Sequence, residues 1–131
     1  MKIRTIVAED EPTTRAMIRS RLERIGCEIV AETDNAKEAL DQFRALQPDL
    51  ITLDFHMPEL DGVDSLVLAE RVRKENPDTV LIVISGTGFV DAENQFKSAG
   101  AFIFARKPVN FDKLARDLKF MFPELKPDAL L

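Results

Sequence analysis

A single cysteine, Cys27, rules out an internal disulfide in this 131-residue chain. It sits in an apolar stretch and reads as a core residue, against the alternative of a reactive thiol. Tryptophan and tyrosine are absent, so the chain carries no intrinsic tryptophan signal. One histidine, His56, is too little for a histidine-based metal site without another histidine or cysteine beside it. No apolar run approaches membrane-spanning length, and Met1-Lys2-Ile3-Arg4 opens no signal-peptide apolar region; a cytoplasmic protein is expected. A net charge of −5 argues against nucleic acid or an anionic membrane as the main partner. There is no internal repeat and no low-complexity segment. The length suits one domain, and about two thirds of the unfolded surface could be buried, enough for a core without staples.

What the chain does contain is an alternation of strand-like and helix-like segments. Ile3 to Ala8 reads as a first strand, and Pro12 to Ile25 as a helix with Pro12 in its first turn and Gly26 just past its end. Ile18, Leu22 and Ile25 fall on one face of it. A second strand over Cys27 to Ala31 and a helix over Ala36 to Leu46 follow, then a third strand over Leu50 to Leu53 and a helix over Val63 to Glu75. A fourth strand, Val80 to Ile84, precedes a helix from about Val90 to Ala99 with Gly100 as its cap. A fifth strand, Phe102 to Ala105, precedes a last helix, Phe111 to Phe122, in which Phe111, Leu114, Leu118 and Met121 recur at helical spacing. The third, fourth and fifth strands are apolar almost throughout, which suits a sheet covered on both faces. The expected fold is α/β, a doubly wound five-stranded parallel sheet forming one domain over residues 1–122, with 123–131 as a short tail or linker.

Four of these apolar runs end in residues that carry chemistry: Glu9-Asp10-Glu11, Asp54, Ser85-Gly86 and Arg106-Lys107-Pro108. In an open parallel sheet the carboxyl ends of the strands share one crevice, where ligands bind. Each residue has an ordinary explanation taken alone. Acidic residues favour a helix N-terminus, Asp54 could be a turn residue, and Ser85-Gly86 and Lys107-Pro108 could be exposed loops. Their common placement argues otherwise. Asp54 can act as a nucleophile that forms an acyl phosphate. Glu9 and Asp10 add oxygen ligands suited to magnesium, which takes few carboxylates and bridges to phosphate. Lys107 brings a compact positive charge to Asp54 or to a phosphoryl oxygen, and Ser85 brings a hydroxyl donor.

The segments Val7-Ala8-Glu9-Asp10-Glu11-Pro12, Leu53-Asp54-Phe55-His56-Met57-Pro58-Glu59-Leu60-Asp61-Gly62, Ile84-Ser85-Gly86 and Lys107-Pro108 resemble the receiver (CheY-like) domain of two-component response regulators, over residues 2 to about 122. The resemblance implies a flavodoxin-like strand order, 2-1-3-4-5. It implies that Asp54 is the phosphoacceptor, and that Glu9, Asp10, Asp54 and the His56 backbone carbonyl hold Mg2+. Ser85 and Phe104 become the switch pair, Lys107 the lysine that meets the phosphoryl group, and His56 and Gly86 its neighbours that tune its lifetime. The peptide before Pro108 is expected to be cis. The implied function is a signalling receiver, not an enzyme beyond its own phosphorylation and dephosphorylation. It would take phosphate from a sensor histidine kinase or a histidine phosphotransfer protein and act on an unknown protein target by direct contact, either as a stand-alone regulator or as the front of something longer.

Three rivals are weaker. An aspartate-nucleophile phosphatase of haloacid-dehalogenase type would carry a second Asp where His56 stands, and needs room for a cap domain. A flavin- or nucleotide-binding module would place Gly, Ser or Thr where Glu9-Asp10-Glu11 stand. An unphosphorylated receiver-like module would not need the intact residue set. Two contact surfaces are expected: Met17 and Arg21 on the first helix, made locally basic by Arg15, Arg19, Arg21 and Arg24, for kinase docking; and Phe120 on the last helix, for a target or for a homodimer strengthened by phosphorylation. The tail leucines Leu125, Leu130 and Leu131 could instead fold back over Phe120.

Overall fold

The computed structural model describes residues 2–86, 90–98 and 103–126. Five strands, β1 (Ile3–Ala8), β2 (Cys27–Thr33), β3 (Leu50–Asp54), β4 (Val80–Ser85) and β5 (Ile103–Arg106), alternate with five helices, α1 (Pro12–Ile25), α2 (Ala36–Leu46), α3 (Ser65–Glu75), α4 (Val90–Ser98) and α5 (Phe111–Met121). All strand pairs are parallel, in the order β2-β1-β3-β4-β5. This is the doubly wound topology expected.

Side chains of successive strand residues point to opposite faces, and the sheet sorts them into two cores. Ile6, Ala8, Ile51, Leu53, Leu81 and Val83 pack with Leu40 and Phe43 of α2, Leu68 and Val72 of α3, and Phe96 of α4. Ile3, Val7, Leu50, Val80, Ile82 and Ile84 pack with Ile18, Leu22 and Ile25 of α1, and Leu114, Ala115 and Leu118 of α5. Cys27 belongs to the second core; burial pushes its thiol up to about 11, which makes it chemically inert.

Several boundaries differ from the sequence expectation for identifiable reasons. β2 runs on to Thr33 because β1 pairs with it through Ala8↔Thr33. α3 starts at Ser65, not Val63. Val63 is instead held in a tight turn, exchanging backbone hydrogen bonds with Leu60 at 3.0 and 3.1 Å. Asp61 and Gly62 at the tip have φ of 53° and 78°, the pair of positive angles that a type I′ turn requires and that Asp-Gly supplies. Asp64 then caps α3 by accepting from the Val67 N–H at 2.9 Å. Phe102 and Gly100 lie outside the described residues, and so does Ala99.

α5 ends at Met121, and Met121 does not face the sheet: it is 37% exposed. At 3.6 residues per turn, the stripe Leu114, Ala115, Leu118 leads next to position 122. Phe122 accordingly packs against the second core. The chain then stays on the domain. Leu125 is buried at 1% exposure, the Lys126 N–H donates to the Ile25 carbonyl at 2.9 Å, and Lys119 Nζ donates to the Leu125 carbonyl at 2.8 Å. The segment after Phe122 thus seals the seam between the ends of α1 and α5. It turns away from Phe120, which stays 88% exposed; Leu130 and Leu131 lie outside the described residues.

Leu125→Ala is expected to lower the unfolding free energy by about 2 to 3 kcal/mol in urea titrations, the usual cost of a large-to-small change at a buried leucine. A change within about 0.5 kcal/mol, typical of a surface position, would show that the strap adds no packing.

Candidate functional site

The three consecutive acidic residues after β1 do three different things. Glu9 extends the sheet: its N–H donates to the Thr33 carbonyl at 3.0 Å, and its side chain is buried. Its carbonyl accepts from Arg15 Nη1 at 2.8 Å, and Oε2 accepts from the Glu11 N–H at 3.1 Å. Asp10 is exposed at the crevice. Glu11 is the N-cap of α1, accepting from the Thr13 and Thr14 N–H groups at 3.0 and 2.6 Å, contacts that pull its carboxyl down to about 2. The helix-terminus explanation therefore fits Glu11 and leaves Glu9 for the crevice.

Asp54 closes β3 and is 3% exposed. Its Oδ1 accepts from the His56 N–H at 3.2 Å, and its backbone carbonyl accepts from Ser65 Oγ at 2.6 Å. Lys107, just past β5, is positioned by its own N–H, which donates to the Ser85 carbonyl at 2.7 Å. The Lys107–Pro108 peptide is cis, as expected. The ammonium lies 2.8 Å from Glu9 Oε1 and 3.5 Å from Asp54 Oδ1. One oxygen from each of Glu9, Asp10 and Asp54 falls within a 4.8 Å cluster.

Burial pushes the Asp54 carboxyl up to about 7, and the neighbouring Asp10 and Glu9 carboxyls add to it against the opposing His56 N–H. Asp10 moves down, chiefly because Asp54 hydrogen-bonds to it, so the two carboxyls titrate as a pair. Burial alone would lower Lys107, but Glu9 and Asp54 together outweigh it and its shift is upward. Three carboxylates thus face one ammonium. Glu9 Oε1 is buried and makes no hydrogen bond among the described residues beyond this ion pair. An oxygen-only set with excess negative charge fits a hard divalent cation.

Of the remaining sequence candidates, Ser85 is fully buried at the end of β4. Gly86 borders the lysine stem; a Cβ there would meet Lys107 Cδ at 3.7 Å, an ordinary contact. The His56 ring stands edge-on to Phe55, centroids 4.5 Å apart, beside a cavity of about 410 Å³ that Ser65 and Phe96 also line. Phe104 is half-buried on β5 and lines a cavity of about 400 Å³ with Phe120 and Met121.

Met17 is exposed, but Arg21 lies over the Phe111 ring, 5.4 Å from its centroid, in the α1–α5 seam. Arg15 lies 4.0 Å from Glu32, and Arg19 pairs with Glu23 and Glu32. Arg15 and Arg19 thus meet acidic partners on β2 and on α1 itself, and Glu32 serves both. Two residues that hold the crevice were not assigned to it from the sequence: Arg15, read there only as part of the basic helix face, and Ser65, which grip the carbonyls of Glu9 and Asp54. No local pattern marks a side chain that bonds a backbone carbonyl six or eleven positions away.

Residues 5–119 match the family model described as Response regulator receiver domain. The chain is 30% identical to the chemotaxis protein CheY of Thermotoga maritima, over 80% of its own length and 85% of that protein's. It is 31% identical to the chemotaxis protein CheY of Bacillus subtilis, over 87% and 92% of the two lengths. Among solved structures, the signal receiver domain of the putative response regulator NarL from Mycobacterium tuberculosis matches with a TM-score of 0.80 and 27% identity, covering 89% of this chain and 93% of that one.

The raised Asp54 carboxyl makes a stability prediction. Its folded value of about 7 lies above the ordinary 3.8, so the ionised group opposes folding. That penalty is absent below about pH 4, grows towards pH 7 and is full above it. Asp54→Asn should therefore raise the melting temperature by several degrees at about pH 8, without metal, and leave it unchanged near pH 4. Calorimetric scans at the two pH values check this; an equal shift at both would show that ionisation is not the cause.

Proposed function

This chain belongs to the response regulator receiver family, and from that premise we propose that Asp54 accepts a phosphoryl group from a phosphohistidine on a sensor histidine kinase or histidine phosphotransfer protein. The observation that supports this most directly is the buried Asp54 carboxylate, within reach of Lys107 and of two further carboxylates. In the reaction, an Asp54 oxygen attacks phosphorus, the P–N bond to the donor breaks, and its electron pair leaves with the imidazole nitrogen. The product is an acyl phosphate on Asp54.

Glu9, Asp10, Asp54 and the His56 carbonyl would hold Mg2+, which supplies positive charge to offset that of the incoming phosphoryl group. Lys107, already between Glu9 and Asp54, turns its ammonium to a phosphoryl oxygen. Ser85 donates its hydroxyl to another. His56 and Gly86 flank the group and set how readily water reaches it. Phosphorylation then shifts a two-state equilibrium whose reporters are Ser85 and half-buried Phe104, beside the surface that carries Phe120. Partner contact follows at Met17 for the kinase and at Phe120 for a target or a second copy. Arg21, held over Phe111, is better placed as a seam residue than as a docking residue. Among the described residues no helix is long and apolar enough to cross a membrane, and we place the activity in the cytoplasm. The phosphatase alternative loses support at position 56, where a histidine stands in place of a second carboxylic acid.

Incubation with acetyl phosphate and Mg2+ should add one phosphoryl group by intact-mass analysis. Asp54→Asn should add none, and Glu9→Gln with Asp10→Asn should abolish uptake together with its magnesium dependence. A full equivalent on Asp54→Asn would falsify the assignment.

Phe120 offers a second test. Sedimentation of wild type and Phe120→Ser, each with and without beryllofluoride as a phosphoryl mimic, should show association only for wild type with the mimic. A monomer in all four samples removes the homodimer and leaves the surface to a different protein.

A further inference from the structure

The peptide plane that joins Asp54 to Phe55 is pinned at both edges. On one side the Phe55 N–H donates to the Ile84 carbonyl of β4 at 2.9 Å. On the other, the Asp54 carbonyl accepts from Ser65 Oγ at 2.6 Å. The next peptide carries the His56 N–H that donates to Asp54 Oδ1 at 3.2 Å. A trans peptide moves as a rigid unit, so this pinned plane anchors the backbone from which the Asp54 side chain and the His56 peptide both extend, and the His56 N–H ties the two together.

Ser65 is well suited to this task. It is 2% exposed and opens α3, but the capping of α3 is done by its neighbour Asp64. The Ser65 hydroxyl instead closes the base of residues 55–64, so both ends of that loop are tied to the phosphoacceptor strand. β3 pairs with β1 only as far as Ala8↔Leu53. The Asp54 carbonyl therefore lies past the ladder on that side, and the hydroxyl satisfies it in a buried place where an unmade bond is costly.

Resting on the function proposed above, we infer that Ser65 is a positioning residue for phosphoryl transfer: its hydroxyl fixes the Asp54–Phe55 peptide and so aims both the Asp54 carboxylate and the His56 backbone at the cation and phosphoryl group. Residues that orient ligands from behind typically change metal affinity or activity by tenfold or more when removed.

The test compares Ser65→Ala, Ser65→Thr and Thr79→Val with wild type. Thr79 is a matched control: it is equally buried, and its Oγ1 donates to the Pro48 carbonyl at 3.2 Å at the opposite end of β4 from the crevice. Three quantities are measured: melting temperature, Mn2+ affinity by calorimetry, and the rate of phosphoryl uptake from acetyl phosphate with Mg2+. Ser65→Ala is expected to weaken Mn2+ binding and slow uptake, each by about tenfold. Ser65→Thr, which keeps the hydroxyl, should restore both to near the wild-type value. Thr79→Val should lose a comparable amount of melting temperature and change neither. Should Ser65→Ala not fold, Ser65→Cys, with its weaker donor, is expected to show a smaller loss of the same kind. Wild-type metal affinity and uptake in Ser65→Ala (or in Ser65→Cys in its place), or proportionate losses in Thr79→Val, overturn the inference. A wild-type chain that neither binds Mn2+ nor takes up phosphate overturns the proposed function itself, and the inference with it.

Discussion

Two carboxylates and an ammonium share a buried corner at the end of the sheet, and the surrounding structure is arranged to keep them there. Glu9 and Asp54 are almost free of solvent, and Lys107 is the cation that both of them meet. Taking charges out of water is costly unless partners replace the lost solvation. The partners come from separate parts of the chain: Arg15 on the Glu9 carbonyl, the Glu11 N–H on the Glu9 side chain, the His56 N–H on Asp54, and the Ser85 carbonyl on the lysine backbone. None of these could converge unless β1, β3, β4 and β5 ran parallel and in register.

Much of this arrangement was legible in the sequence, because it depends on strand ends and on helical spacing. Apolar runs that stop at Asp54, Ser85 and Lys107 put those residues at one edge as soon as the strands are parallel. Ile18, Leu22 and Ile25 form the buried face of α1 as their spacing says. Period and polarity are local properties, and they survive folding unchanged.

The parts that were not legible depend on distant partners. Arg21 reads as an exposed cation until α5 brings Phe111 beneath it. Arg15 and Arg19 read as free cations until Glu32 arrives on β2. Leu125 reads as tail until the αL turn at Gly26 leaves an opening beside Ile25 that it fills. Met121 and Phe122 compete for one place in the helical period, and only the packed structure decides between them. Ser65 gave no sign at all, since a serine at the start of a helix is ordinary until its hydroxyl is seen to turn back to Asp54.

The imbalance of three carboxylates against one ammonium also makes the crevice a coincidence filter. An anionic donor that approaches alone meets like charge at short range, where a partly dry site screens poorly. A cation that arrives alone finds oxygen ligands but nothing to react with. Only the two together cancel the field, so the charge balance of the crevice favours an anion that comes accompanied over one that comes alone.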